Sequence, residues 1–154
     1  MTRILFVCSG NTCRSPMAEA IARDVAEKPP FDTLDIQFGS AGAAAPDGAP
    51  ATPEAVTAVR NMGMEMHDHR SRAITRGSID ASDIIFGLTP AHVQEVIALA
   101  PDAADRTHLL DPRGRSVPDP IGMSQAVYDQ TADFIRAAVV DRLSEHLETT
   151  RQSS

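Results

Sequence analysis

Cys8 and Arg14 stand six positions apart in the stretch Cys8-Ser9-Gly10-Asn11-Thr12-Cys13-Arg14-Ser15, a spacing that suits attack on a phosphate. A thiolate is a strong nucleophile. A guanidinium is a planar fork that matches two phosphate oxygens. A loop this short can curl around one phosphate with its N–H groups turned inward as an anion nest. Gly10 is expected to let the backbone bend where a Cβ would clash. The loop follows an apolar run, Ile4-Leu5-Phe6-Val7, and precedes Pro16-Met17-Ala18-Glu19-Ala20-Ile21. That is strand, tight loop and helix, and the helix adds its positive N-terminal end to the site. Such surroundings favour thiolate over thiol at Cys8. The plainer reading of a cysteine after a strand is a small buried hydrophobe, and a lone Cys-x5-Arg arises by chance, so the rest of the chain has to decide.

The elements that must hold this loop alternate in type. Residues 3–8 read as a buried strand and residues 16–27 as a helix, with Pro16 in its first turn and Met17, Ile21 and Val25 on one apolar face. Pro29-Pro30 ends that helix. Residues 36–38 form a short strand, followed by Gly39-Ser40-Ala41-Gly42 and a loop rich in Ala, Pro and Gly. Thr52 caps a helix that runs to Asn61, and Gly63 sits where a C-terminal glycine belongs. Residues 83–88 are a third strand, Thr89-Pro90 opens a helix that ends near Pro101, and residues 106–110 are a fourth strand. Residues 111–123 are a loop with three prolines, and residues 124–148 a long closing helix. The alternation predicts an α/β fold, a parallel sheet covered on both faces. The loop after the first strand then lies at the C-terminal edge of the sheet, where such folds bind ligands. No repeat or linker divides the chain, so residues 1–148 read as one domain and residues 149–154 as a polar tail.

Composition narrows the function. With 14 Lys and Arg against 21 Asp and Glu, the net charge is −7, which argues against a nucleic-acid partner. There is no Trp and one Tyr, a poor stacking platform for bases. Two cysteines make no disulfide framework and suit a reducing compartment. The N-terminal apolar run is too short for a signal peptide or a membrane span, so a cytoplasmic protein is expected. His67, His92, His108 and His146 show no spacing suited to metal ligands.

The loop resembles that of the low-molecular-weight protein-tyrosine-phosphatase family, which reads C-x-G-N-x-C-R-S-P near the N-terminus. Cys8, Gly10, Asn11, Cys13, Arg14, Ser15 and Pro16 all match, after the expected strand. The resemblance extends over nearly the whole chain. It implies a three-layer fold with a four-stranded parallel sheet in the order 2-1-3-4. It implies hydrolysis of phosphorylated proteins through a phosphocysteine, with no cofactor and no metal. The family takes its general acid from a D-P motif near the C-terminus. Asp111-Pro112 and Asp119-Pro120 both qualify. The D-P-x-G-x5-Y layout running from Asp119 through Gly122 to Tyr128 resembles the family's acid loop and selects Asp119. Asp111-Pro112 then reads as a turn that ends a strand.

By the same resemblance, Cys8, Arg14 and Asp119 are catalytic, and Ser9, Gly10, Asn11, Thr12, Cys13 and Ser15 complete the phosphate loop. Ser15 donates to the Cys8 sulfur. Asn11 tolerates a left-handed backbone and joins a network with Ser40 and His69. Cys13 is either core packing or a partner that traps oxidised Cys8 as a disulfide. Tyrosine-specific members often carry a bulky aliphatic residue where this chain has Thr12, and aromatics after the D-P where it has Ile121-Gly122-Met123. Protein-arginine phosphatases are closer at Thr12. Alternatives are an arsenate reductase of the same fold, a non-catalytic phosphate-binding module and a metal-binding protein. An arsenate reductase needs further cysteines, a binding module does not need Cys8 and a D-P acid together, and two cysteines without a histidine pair make a poor metal site.

Overall fold

The computed structural model describes residues 1–66 and 68–153, so His67 lies outside the described residues. Four parallel strands, β1 (Thr2–Cys8), β2 (Ile36–Gly42), β3 (Ile84–Gly87) and β4 (Thr107–Leu109), form one sheet in the order β2-β1-β3-β4. Among the described residues five helices pack around it: α1 (Arg14–Ala26), α2 (Pro53–Asn61), α3 (Arg76–Asp80), α4 (Pro90–Leu99) and α5 (Gln125–Gln152). Short 3-10 turns occupy Phe31–Thr33 and Pro101–Arg106.

The alternation of β1 builds both cores. Ile4, Phe6 and Cys8 point to one face and join Met17 and Ile21 of α1, Val59 of α2 and Ile135, Val139 and Leu143 of α5. Leu5 and Val7 point to the other and join Ile79 of α3, Val96 of α4, Ala100 and Ala103. Each such side chain, fully buried, contributes about 1.5–3 kcal/mol of transfer free energy. The central strand is apolar without alternation because both its faces are covered. Cys8 is its last residue, so the loop emerges at the C-terminal edge of the sheet.

Several elements differ from the sequence reading. β2 runs on through Gly39, Ser40, Ala41 and Gly42 because its parallel register with β1, from Thr2 opposite Ile36 to Cys8 opposite Gly42, holds these poor strand formers in line. Ser40 is therefore inside a strand and not after one. α1 starts at Arg14, two residues before Pro16. α3 was not expected; its reciprocal cap, Thr75 Oγ1 accepting from Ser78 N and Ser78 Oγ from Thr75 N, was the signal. α5 continues through Thr149 to Gln152, beyond its expected end at Glu148. Thr52, Thr89 and Ser124 all cap their helices.

Candidate active site

The carbonyls of Cys8, Ser9, Asn11, Thr12 and Cys13 are turned outward, to groups outside the loop. Cys8 O accepts from Ala43 N (2.8 Å), Ser9 O from Ala44 N (2.9 Å), Thr12 O from Thr52 N (2.8 Å) and Cys13 O from Met17 N (3.0 Å). Asn11 O accepts from His69 Nε2 (2.8 Å). In a trans peptide the N–H points opposite to the carbonyl. Outward carbonyls therefore turn the loop N–H groups toward the space the loop encloses. Among the described residues no backbone acceptor takes the N–H of Gly10, Asn11, Thr12 or Cys13. The result is an anion nest at the N-terminus of α1.

The crowding expected at Gly10 is not there, while the left-handed backbone expected to be tolerated at Asn11 is. Gly10 has no positive φ, and a Cβ there would meet nothing nearer than Thr12 Oγ1 at 3.5 Å. Asn11 carries the left-handed conformation, at φ 53°. The crowded glycine is Gly42, where a Cβ would lie 2.5 Å from Ser9 O and 3.0 Å from Asn11 N. A side chain at the end of β2 would displace the loop.

Asn11 is fully buried and sets the polarity of a network. Its Oδ1 accepts from Arg72 N (2.9 Å), which fixes the amide so that Nδ2 donates to Ser15 Oγ (2.9 Å) and Ser40 Oγ (3.0 Å). Ser40 Oγ in turn donates to Glu19 Oε1 (2.7 Å). With its oxygen receiving from Asn11, Ser15 has its own proton free for Cys8 Sγ at 2.9 Å; the alternative acceptor, Ala41 O, is at 3.5 Å. Every direction follows from two fixed ends, a backbone N–H and a carboxylate. The expected Asn11, Ser15, Ser40 and His69 are thus brought together. Glu19 was missed, although its place one helical turn after Ser15 was a usable signal.

Arg14 is buried, with Nη1 donating to Val117 O (3.1 Å) and Nη2 3.6 Å from Asp119 Oδ2. Its Nε is buried without a partner among the described residues, a donor suited to an oxyanion. Val117 N donates to Leu88 O and Leu88 N to Val7 O, so a backbone chain joins β1, the end of β3 and the acid loop to Arg14. Asp119 is half exposed, and its Oδ1 accepts from Ile121 N (3.2 Å), which turns the loop over. Asp111 is committed elsewhere. It accepts from Arg113 N, Arg115 N and Arg115 Nε, the last at 2.7 Å. Burial works to raise its pKa, but the Arg115 side chain and the two N–H groups outweigh this and hold it below the ordinary carboxyl value.

Cys13 packs in the core, and burial, then the charge of Cys8, pushes its thiol up to about 11. Tyr128 is buried, and burial raises its hydroxyl pKa. His92, set aside by its lack of ligand spacing, shares a hydrogen bond with Ser9 Oγ at 2.9 Å. Among the described residues no three His, Cys, Asp or Glu side chains cluster as a metal site.

Comparison with known proteins agrees with this geometry. The family described as low molecular weight phosphotyrosine protein phosphatase matches residues 3–153. A protein-arginine-phosphatase of Geobacillus stearothermophilus is 33% identical over 151 residues, 96% of this chain and 97% of that protein. The low molecular weight protein-tyrosine-phosphatase Etp of Escherichia coli is 28% identical over 88% of each chain. The solved YwlE arginine phosphatase of G. stearothermophilus superposes with a TM-score of 0.86 at 32% identity, over 99% of this chain and 97% of that one. A further solved YwlE mutant carries a phosphorylated active-site serine (TM-score 0.87, 30% identity, 94% and 95% covered). With a match over nearly its whole length, the chain belongs to the low molecular weight phosphotyrosine protein phosphatase family.

Proposed function

We propose that the chain is a cysteine-dependent protein phosphatase acting on phosphotyrosine, phosphoarginine or both, through a phosphocysteine. The observation that carries this is Cys8 Sγ beside the Ser15 hydroxyl, in one loop with an Arg14 whose Nε has no partner among the described residues and whose Nη2 faces Asp119.

In the first step the Cys8 thiolate attacks phosphorus, and the bond to the leaving oxygen or nitrogen breaks as Asp119 gives that atom a proton. Arg14 and the loop N–H groups hold the other phosphate oxygens as charge shifts toward them. In the second step a water attacks the phosphocysteine while Asp119 takes its proton. The sulfur–phosphorus bond breaks and phosphate leaves. The Ser15 hydroxyl donates to the sulfur as it regains its charge. Ser9, Gly10, Asn11, Thr12 and Cys13 build the cradle, and Ser40 and His69 hold it through Asn11.

Thr12 is half-buried on the rim, and Ile121 and Met123 are 60% and 58% exposed beside Asp119. A threonine hydroxyl pairs with a guanidinium, whereas an aliphatic side chain presents a dry wall to a phenyl ring. This favours phosphoarginine, as do relatives named for that activity. An arsenate reductase relay has no support, since Cys8 and Cys13 are the only cysteines. A cytoplasmic setting suits the reduced thiols. Among the described residues no helix is long and apolar enough to cross a membrane.

The test is kcat/KM on phosphotyrosine and phosphoarginine peptides for the wild type and Thr12→Ile. The expected result is activity on both, with the phosphoarginine to phosphotyrosine ratio falling in the mutant. No hydrolysis of either peptide refutes the phosphatase reading, and an unchanged ratio refutes the role of Thr12.

A further inference from the structure

Ser9, like Asn11, is tied by its side chain as well as its backbone. Its carbonyl accepts from Ala44 N, and its Oγ shares a 2.9 Å hydrogen bond with His92 Nε2. Ser9 is exposed, while His92 is only 3% exposed. A buried ring therefore grips a residue at the mouth of the site.

The grip is itself anchored. His92 lies in the first turn of α4, where its N–H donates to the capping Thr89 Oγ1 (3.4 Å) and its Nδ1 shares a hydrogen bond with the same oxygen (3.1 Å). Both ring nitrogens are thus committed, one to the helix cap and one to the loop. Behind the ring, a Cβ at Gly87 would come within 2.7 Å of Val93 N and Cγ2. The close approach of β3 and the first turn of α4 therefore depends on that glycine, and it fixes where His92 starts.

The charges facing the ring are Arg14 of α1 and Asp119 of the acid loop. Burial first, then Arg14, pushes the imidazole down to about 4, with Asp119 pulling the other way. The ring is therefore neutral at neutral pH. A neutral imidazole keeps one donor and one acceptor, which two hydroxyl partners can match, and adds no cation beside Arg14.

We propose that His92 is a positioning residue that acts through Ser9, locking the first half of the phosphate loop so that Cys8 and the following N–H groups keep their aim. This rests on the phosphatase reading of the site.

The test is a double-mutant cycle of Ser9→Ala and His92→Gln, with His92→Phe as a second route, assayed on an aryl phosphate well below each variant's Tm. Each single change is expected to lower kcat/KM by about 3- to 10-fold, the loss of one hydrogen bond. The double mutant is expected to match the weaker single mutant within about twofold, because both changes break the same bond. Competitive inhibition by inorganic phosphate should weaken alongside, since the N–H cradle is what loosens. In the wild type, phosphate binding should move the ring nitrogen resonances of His92, and Ser9→Ala should abolish that response. Losses that multiply in the double mutant, or a phosphate response that persists in Ser9→Ala, would overturn the proposal. If both His92 variants fail to fold, the Ser9→Ala response alone decides. A wild type inactive on aryl phosphate and on both phosphopeptides refutes the phosphatase reading instead, so the two failures are distinct.

Discussion

Arg14 Nη2 and Asp119 Oδ2 face each other at 3.6 Å, one from a buried side chain and the other from a half-exposed one. The guanidinium is held from behind by Val117 O, so the pair sets the acid loop against the phosphate loop. On the proposed mechanism this places the proton donor and the oxyanion grip on one substrate. Asp119→Ala should slow substrates with poor leaving groups by about 10²–10⁴-fold and activated aryl phosphates far less. Rates across a series of leaving groups measure this.

Asp111→Ala should leave that leaving-group dependence unchanged but is not silent. It removes a buried acceptor of three hydrogen bonds and should cost about 1–3 kcal/mol, read as a lower Tm. The folded pKa of Asp111 is depressed, so its contribution is full above the ordinary carboxyl value and is lost as pH falls through the lowered one. Asp111→Asn should therefore flatten the acid edge of the stability profile. If the two aspartates exchange these behaviours, Asp119 is not the acid.

Asn11→Asp tests the polarity of the network. The side chain keeps its shape but can no longer donate to Ser15 and Ser40. Ser15 then turns its proton toward the new carboxylate and away from Cys8 Sγ. A fall of about 10- to 100-fold in kcat is expected, with steady phosphoenzyme measured alongside. Full activity would show that the Ser15 proton does not serve the sulfur.

Cys13 attacks oxidised Cys8 only as a thiolate, and its pKa of about 11 makes that species scarce at neutral pH. Burial is the main cause and persists after oxidation, whereas the charge of Cys8 disappears on forming the sulfenic acid. Peroxide-treated enzyme should form a Cys8–Cys13 disulfide faster as pH rises, with activity regained on reduction. Peptide mapping across pH checks this. Over-oxidised Cys8 at every pH would leave Cys13 as packing alone.

Much of this site was legible because its chemistry is local. Cys8 to Ser15 is one short segment, and the apolar β1 before it and Pro16 after it announce strand and helix. The sheet order came from resemblance to a family and not from periodicity. The end of β2 was illegible because Gly39 to Gly42 have little strand preference and are held by pairing with β1. Gly10 drew attention that belonged to Gly42, since crowding depends on neighbours distant in sequence, whereas the left-handed backbone at Asn11 was anticipated. His92 was dismissed because its spacing was tested for metals alone, while its partner Ser9 lies 83 residues away. Asp119 was separable from Asp111 only by motif, because the bonds that Asp111 accepts from Arg113 N, Arg115 N and Arg115 Nε are visible only in the fold.

The central claim is the phosphocysteine at Cys8, and trapping it is the most direct measurement. Asp119→Ala should form the intermediate readily from p-nitrophenyl phosphate, whose leaving group needs little acid, and hydrolyse it slowly for want of a base. Rapid acid quench and mass mapping should then find one phosphoryl group on Cys8. Cys8→Ser should lose more than about 10³-fold of turnover while still binding vanadate through Arg14 and the loop. A phosphoryl group on any other residue, or Cys8→Ser turnover within tenfold of wild type, would contradict the account.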